Sequence, residues 1–240
     1  NEVTRTPFQV QKQKEIEANA SSYINSRKEE IINDVKNNPN HSLRRELNWE
    51  ATLPRKSTEL ARKEIEQQHI ENMSGGDWHN NSKLLSFNKN LENNKDKKHV
   101  VFIDSKTQRS ALTNMFKEMG YTQNQIKNLA STTTSITGSE MAARVKDFQS
   151  GKIPILMIDK NSSTGYNLQQ GDFLHVLGTP QDASIYLQSQ GRVDTMTRKG
   201  DVEVRTYKYK DNPVEQASWN DLENQIKLLK ATSPGMVVGE

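Results

Sequence analysis

Apolar side chains recur at helical spacing along the first part of the chain. Phe8, Ile16, Tyr23, Ile24, Ile31 and Val35 fall at intervals near three, four and seven, with Glu and Lys between them. This predicts a helix over 8–38. The run NNPN at 37–40 ends it, because Pro39 disfavours helix in the residue before it. Leu60, Ala61, Ile65 and Ile70 form a second stripe, predicting a helix over 57–73 with Ser57 as its N-cap. SGGD at 74–77 breaks the pattern and is the expected domain boundary.

From residue 82 the texture changes. Leu84, Leu85, Phe87 and Leu91 predict a short helix, and the Asn- and Lys-rich stretch 88–98 a solvated loop. HVVFID (99–104) is a continuous apolar run of the kind found in buried parallel strands. A helix is expected over 110–119, a strand ending at SITG (135–138), and a helix over 139–148. Further strands are expected at PILMID (154–159), FLHVLG (173–178) and VEVRTYKY (202–209), with helices at 183–190 and 213–230. Strands alternating with helices imply right-handed crossovers and a mainly parallel sheet covered on both faces, an α/β lobe behind a helical region. The expected division is a helical appendage or insertion over 1–80, the lobe over 81–230 and a tail over 231–240. No internal repeat is evident.

Composition narrows the chemistry. Apolar residues make up 32% of the 240, a low share concentrated after residue 97. There is no cysteine, which excludes disulfides and thiolate metal sites. The five histidines are scattered without ligand spacing and read as structural, so no metal site is expected. A net charge of +3 fits a nucleic-acid contact without demanding one. The basic residues Arg44, Arg45, Arg55 and Lys56 read as a solvated face. No stretch is long and apolar enough to span a bilayer, nor is there a secretory core, so the expectation is a cytoplasmic protein without membrane contact. Asn- and Lys-rich usage fits a bacterial or phage source. Asn1 leads into what reads as mid-protein sequence, so a piece of a longer chain is expected.

Two segments carry candidate chemistry. Ser162, Ser163 and Thr164 follow the strand at 154–159 and place small hydroxyls and amides where a phosphate backbone could bind, with Gly165 permitting a close approach. LQSQGRVDTMTRKGD (187–201) offers a glutamine and two arginines after a helix and before a strand, and an arginine fork suits phosphate.

Taken in order, these pieces resemble the second RecA-like lobe of superfamily 2 helicases, and among them the Swi/Snf-type DNA translocases. VVFIDS, ending at Ser105, resembles motif IV. The run from ITGSE through FQSG to ILMIDKNSSTGYNL resembles the passage into motif V, and Gly165-Tyr166-Asn167-Leu168 matches its "G-L-N-L" ending. Gln188, Gly191 and Arg192 match the opening of motif VI, "Q-x-x-G-R". The resemblance covers about 83–210. It implies that Arg192 and Arg198 face ATP phosphates with Gln188 positioning them, and that Gly165, Asn167 and Gly191 lie near ATP. It also implies that Ser105, Ser162, Ser163 and Thr164 face a DNA or RNA backbone without reading sequence.

Two departures stand out. Serines occupy the positions where the family often has paired glycines, and Thr195 stands where the family has a second arginine. Either Arg198 is the displaced equivalent, with 195–197 as an insertion, or the second arginine is absent and hydrolysis with it. No G-x-x-x-x-G-K-[ST] and no D-E-x-[DH] box occurs. By the resemblance, ATP and Mg²⁺ are held mainly by a first RecA-like lobe of the same parent protein. The rival reading is a degenerate, non-hydrolysing module for nucleic-acid binding or assembly in a large multidomain protein. A stand-alone Rossmann-like domain fits less well, because VVFIDSKTQRS has no glycine at the first strand-to-helix turn.

Overall fold

The computed structural model describes residues 1–74, 76–103, 105–122, 125–128, 137–159, 167–180, 182–194 and 200–232. The chain forms two compact units, Pro7–Met73 and Asn1–Thr6 with Ser74–Glu240.

The smaller unit is an antiparallel pair of long helices, α1 (Pro7–Asn37) and α2 (Trp49–Ser74). Ile31, Val35 and Leu53 bury each other near the turn. At the far end Gln9 Nε2 donates to Asn72 O at 3.0 Å and Asn72 Nδ2 returns a bond to Gln9 O at 2.9 Å. Midway, Glu64 accepts from Arg27 and from the Tyr23 hydroxyl, in that order of strength, which holds its carboxyl below the usual range.

Helix α2 starts at Trp49, so Ser57 is not an N-cap. The turn before it is made by Asn48, which takes a positive φ of 57° that asparagine tolerates. Pro54 then sits inside the helix rather than stopping it. The Ser57 hydroxyl bonds back to Leu53 O at 2.8 Å. The expected basic face is also largely spoken for. Arg44 donates to Val35 O at 2.6 Å at the end of α1 and stacks over Trp49, Arg55 pairs with Glu59 and Lys56 with Glu46.

The larger unit is a three-layer α/β sandwich. Its sheet runs β3 (Ile126–Asn128), β4 (Ile155–Ile158), β2 (His99–Phe102), β5 (Phe173–Val176), β6 (Glu203–Thr206), and every pair is parallel. Alternation along the strands sorts two cores. Val101, Ile103, Ile155 and Met157 pack against α3 (Ser82–Asn93) and α4 (Lys106–Glu118). Val100, Phe102, Leu156, Ile158, Leu174 and Val176 pack against α5 (Gly138–Gln149), α6 (Ala183–Val193) and α7 (Pro213–Thr232).

Several local expectations are corrected. Residues 1–6 are not helical: β1 (Glu2–Val3) pairs in parallel with β7 (Lys208–Tyr209), and Arg5 clamps Asp211 at 3.1 Å. The stretch 88–98 is mostly helix rather than loop, because Phe87 and Leu91 anchor α3 in the core, and Asn90 Nδ2 reaches Tyr207 OH at 2.9 Å. Thr137 and Gly138 end no strand. Thr137 caps α5 in a reciprocal box with Glu140, whose carboxyl the Thr137 amide and hydroxyl hold below the usual range. The run 202–209 splits at the fully buried Tyr207 into β6 and β7. Ser135, Ile136 and Asp104 lie outside the described residues.

Candidate functional site

Helix α6 begins where Asp182 caps it, its carboxylate accepting from the Ser184 amide at 2.7 Å. Those Ser184 bonds hold Asp182 below the usual carboxylate range. The helix runs through Arg192, so this arginine stands on its last turn rather than in a following loop. Ala183, Ser189 and Val193 face the core, while Gln188 is exposed and Arg192 partly so. Four residues apart, Gln188 and Arg192 share one helix face. Tyr186 and the ring of Trp219 meet edge-on at 6.5 Å, which seats α6 on α7.

A crossover helix between parallel strands runs back against them. Helix α6 leaves the C-terminal end of β5 and returns its last turn toward the N-terminal ends. This places the Arg192 main chain near the N-terminal ends of the strands. There its carbonyl accepts from Leu168 N at 2.8 Å.

Leu168 is the last residue of the "G-L-N-L" match, so the two stretches that resemble motifs V and VI are joined by one backbone hydrogen bond. Leu168 is itself buried, and its carbonyl takes the Gly171 amide at 2.9 Å. Asn167 forms the turn before it, its side-chain oxygen accepting from Gln169 N at 3.0 Å. The Asn167 carbonyl accepts from Gln149 Nε2, also at 3.0 Å. Gln149 is the first variable residue of the F-x-x-G stretch at the end of α5, and its own carbonyl takes Lys98 Nζ at 3.1 Å. Lys98 continues the line: its amide bonds Asp172 Oδ2 at 2.9 Å and its carbonyl takes Asp172 N at 2.8 Å.

Gly171 is required by space. A Cβ there would stand 2.9 Å from Val100 Cγ2 and 3.3 Å from Val193 Cγ1. Sequence reading missed Gln149, Lys98, Asp172 and Gly171. Only Gln149 carried a signal, by lying inside a motif.

Three expected partners thus come together: Asn167, Gly191 and Arg192, with Gln188 on the same helix face. Ser105 does not join them. It follows β2 at the C-terminal edge, and its hydroxyl caps α4 by accepting from Gln108 N at 3.1 Å. Gly165, Ser162, Ser163, Thr164 and Arg198 lie outside the described residues, as do Thr195 and the expected insertion. Among the described residues no group of acidic and histidine side chains could hold a metal ion, and no helix is long and apolar enough to cross a membrane.

Residues 82–195 match the family model described as the helicase conserved C-terminal domain. Among solved structures, the chain is similar to the crystal structure of the C-terminal part of the Fun30 ATPase domain. The TM-score is 0.50 at 14% identity, covering 77% of this chain and 67% of that one. At that identity the likeness shows the fold. No curated protein matches the chain. The family match lies within the larger unit, and the structural likeness agrees with it in fold.

Proposed function

We propose that the larger unit is the second lobe of an ATP-driven motor on nucleic acid, of the Swi/Snf translocase type. The observation that carries this reading is the bond from Leu168 N to Arg192 O, braced by Gln149 on Asn167. Three motif fragments scattered over more than forty positions of sequence meet at one end of the sheet. A lobe that must couple nucleic-acid contact to the nucleotide needs such a rigid link, because packed backbone transmits displacement without slack.

The chain's own residues supply charge and orientation. Arg192 brings a guanidinium whose helix is fixed by Val193 and Ser189 in the core and by its carbonyl on Leu168. The lobe does not fit a triphosphate cradle by itself. The turn after β2 has no glycine, and Ser105 is engaged in capping α4. ATP and Mg²⁺ are therefore assigned to a first lobe of the parent protein. Arg192 serves as a donor to phosphate charge across the cleft, and Arg198 is the proposed second donor. The polar run Ser162, Ser163, Thr164 faces the nucleic-acid backbone in this reading.

In the full-length parent, Arg192→Ala should lower ATP turnover by about two or more orders of magnitude, on the scale of arginine fingers. Affinity for DNA should change far less. Unchanged turnover in that variant would remove the motor reading. Thr195 at the second arginine position favours the alternative, a non-hydrolysing module. That alternative requires a parent that binds DNA and shows no turnover even before mutation.

A further inference from the structure

Lys83 is a buried cation, 5% exposed, in the first turn of α3. Two effects work against a positive charge there. Burial strips its hydration, and the N-terminal end of a helix repels cations. Methionine would fill the same space without either cost. The ammonium is nevertheless held on several sides. It donates to Leu177 O at 3.0 Å, pairs with Glu215 on the first turn of α7, and lies 4.4 Å over the ring of Tyr209. Glu215 also accepts the Tyr209 amide at 2.8 Å, and Tyr209 OH donates to Asn81 at 3.2 Å.

Two of these partners lie on the segments that adjoin α6. Leu177 is the residue after β5, five positions before the Asp182 cap. Its carbonyl lies just past the last ladder bond, Tyr207 N to Val176 O at 3.0 Å. Glu215 belongs to the helix on which α6 rests through Tyr186 and Trp219. We infer that Lys83 is a positioning residue for the motif VI helix. It ties the strand end from which α6 departs to the helix that supports it, and so sets the angle at which Arg192 is presented. This rests on the motor reading above. A buried ion pair contributes little net stability compared with apolar residues of the same size, and in some proteins its role is to fix one arrangement among several.

The experiment has two parts. Hydrogen exchange is measured on this chain with Lys83→Met and with the charge-free pair Lys83→Met/Glu215→Met. ATP turnover is measured in the full-length parent carrying the same changes, with Arg192→Ala alongside. Expected are α6 amides that exchange at least tenfold faster while β2 and β4 keep their protection. The kcat should fall by about tenfold to a hundredfold, the scale of a misplaced catalytic group, with KM for ATP and DNA affinity within about twofold. Loss of protection throughout the sheet would make Lys83 only a stability element and overturn the inference. Normal α6 exchange or normal kcat in either variant would overturn it as well. If Arg192→Ala leaves turnover intact, the motor reading itself fails, and that outcome is separate from the others.

Discussion

At the scale of single residues, the polar chain inside the lobe has one proton arrangement that satisfies every member. His99 Nε2 faces the Asn94 carbonyl at 3.0 Å, so that nitrogen carries the hydrogen. His99 Nδ1 then accepts from His175 Nε2, and His175 Nδ1 accepts from the Tyr207 hydroxyl, both at 3.0 Å. Asn90 donates to the Tyr207 oxygen, and Arg205 donates to Asn90. Protonating His99 would set its Nδ1–H against His175 Nε2–H, and protonating His175 would set its Nδ1–H against the Tyr207 hydroxyl hydrogen. Burial pushes both imidazoles down, His175 well below its ordinary value, with His99 and Arg205 adding repulsion. Asp172 and Asp96 only partly offset this at His99. A histidine with a depressed pKa contributes stability that is whole above its unfolded value, about 6.5, and is lost as pH falls below it. The urea midpoint of this chain should therefore drop between pH 7.5 and pH 5.5, and His175→Phe should flatten that slope. A wild-type midpoint with no such slope would refute the arrangement. Tyr207→Phe leaves His175 Nδ1 without its donor and should cost about 1–3 kcal/mol by chemical denaturation.

At the scale of elements, the crowding at Gly171 links a turn to a helix. Val100 stands on β2 and Val193 ends α6, so a methyl group at 171 must displace one or the other. Gly171→Ala should destabilise by about 1–3 kcal/mol, the usual cost of overpacking. Because Val100 is the nearer neighbour, Gly171→Ala/Val100→Ala should recover much of that loss in thermal unfolding. Purely additive effects of the two changes would mean the contact is not the cause. Nothing in QQGD announced this constraint, since a glycine in a polar turn reads as a turn former. The strands were legible because HVVF, ILMI and FLHV are unbroken apolar runs. The first turns of α2 were not, since the expected helix began at 57 whereas the structure carries it back through Pro54 to Trp49. Arg192 stood out in the sequence by its type and spacing. Its place at the N-terminal ends of the strands followed from α6 running back along the sheet, which no local pattern states. The Lys83–Glu215 pair joins positions on separate helices, and such a contact leaves no trace in a single sequence.

At the scale of the whole molecule, the lobe should hold nucleic acid and leave ATP intact. The proposed contacts are hydroxyls, backbone amides and a few cations directed at phosphates, and the chain carries only a modest net charge of +3. Binding of this kind draws its free energy from released counterions, so log affinity falls linearly with log salt. The slope is about −0.9 per neutralised phosphate on duplex and about −0.7 on a single strand. Titrations of unrelated oligonucleotides of both forms at several salt concentrations should give sequence-independent slopes of a few units. The ratio of affinities for the two forms reports which one the lobe prefers. A slope near zero, or strong discrimination between sequences, would count against backbone recognition. The same preparation with Mg²⁺ and ATP should release no phosphate above background, with or without DNA, because the 240 residues contain no G-x-x-x-x-G-K-[ST] sequence to cradle a triphosphate. DNA-stimulated hydrolysis by this chain alone would mean that the nucleotide is held within it, and the division of labour between two lobes would have to be abandoned.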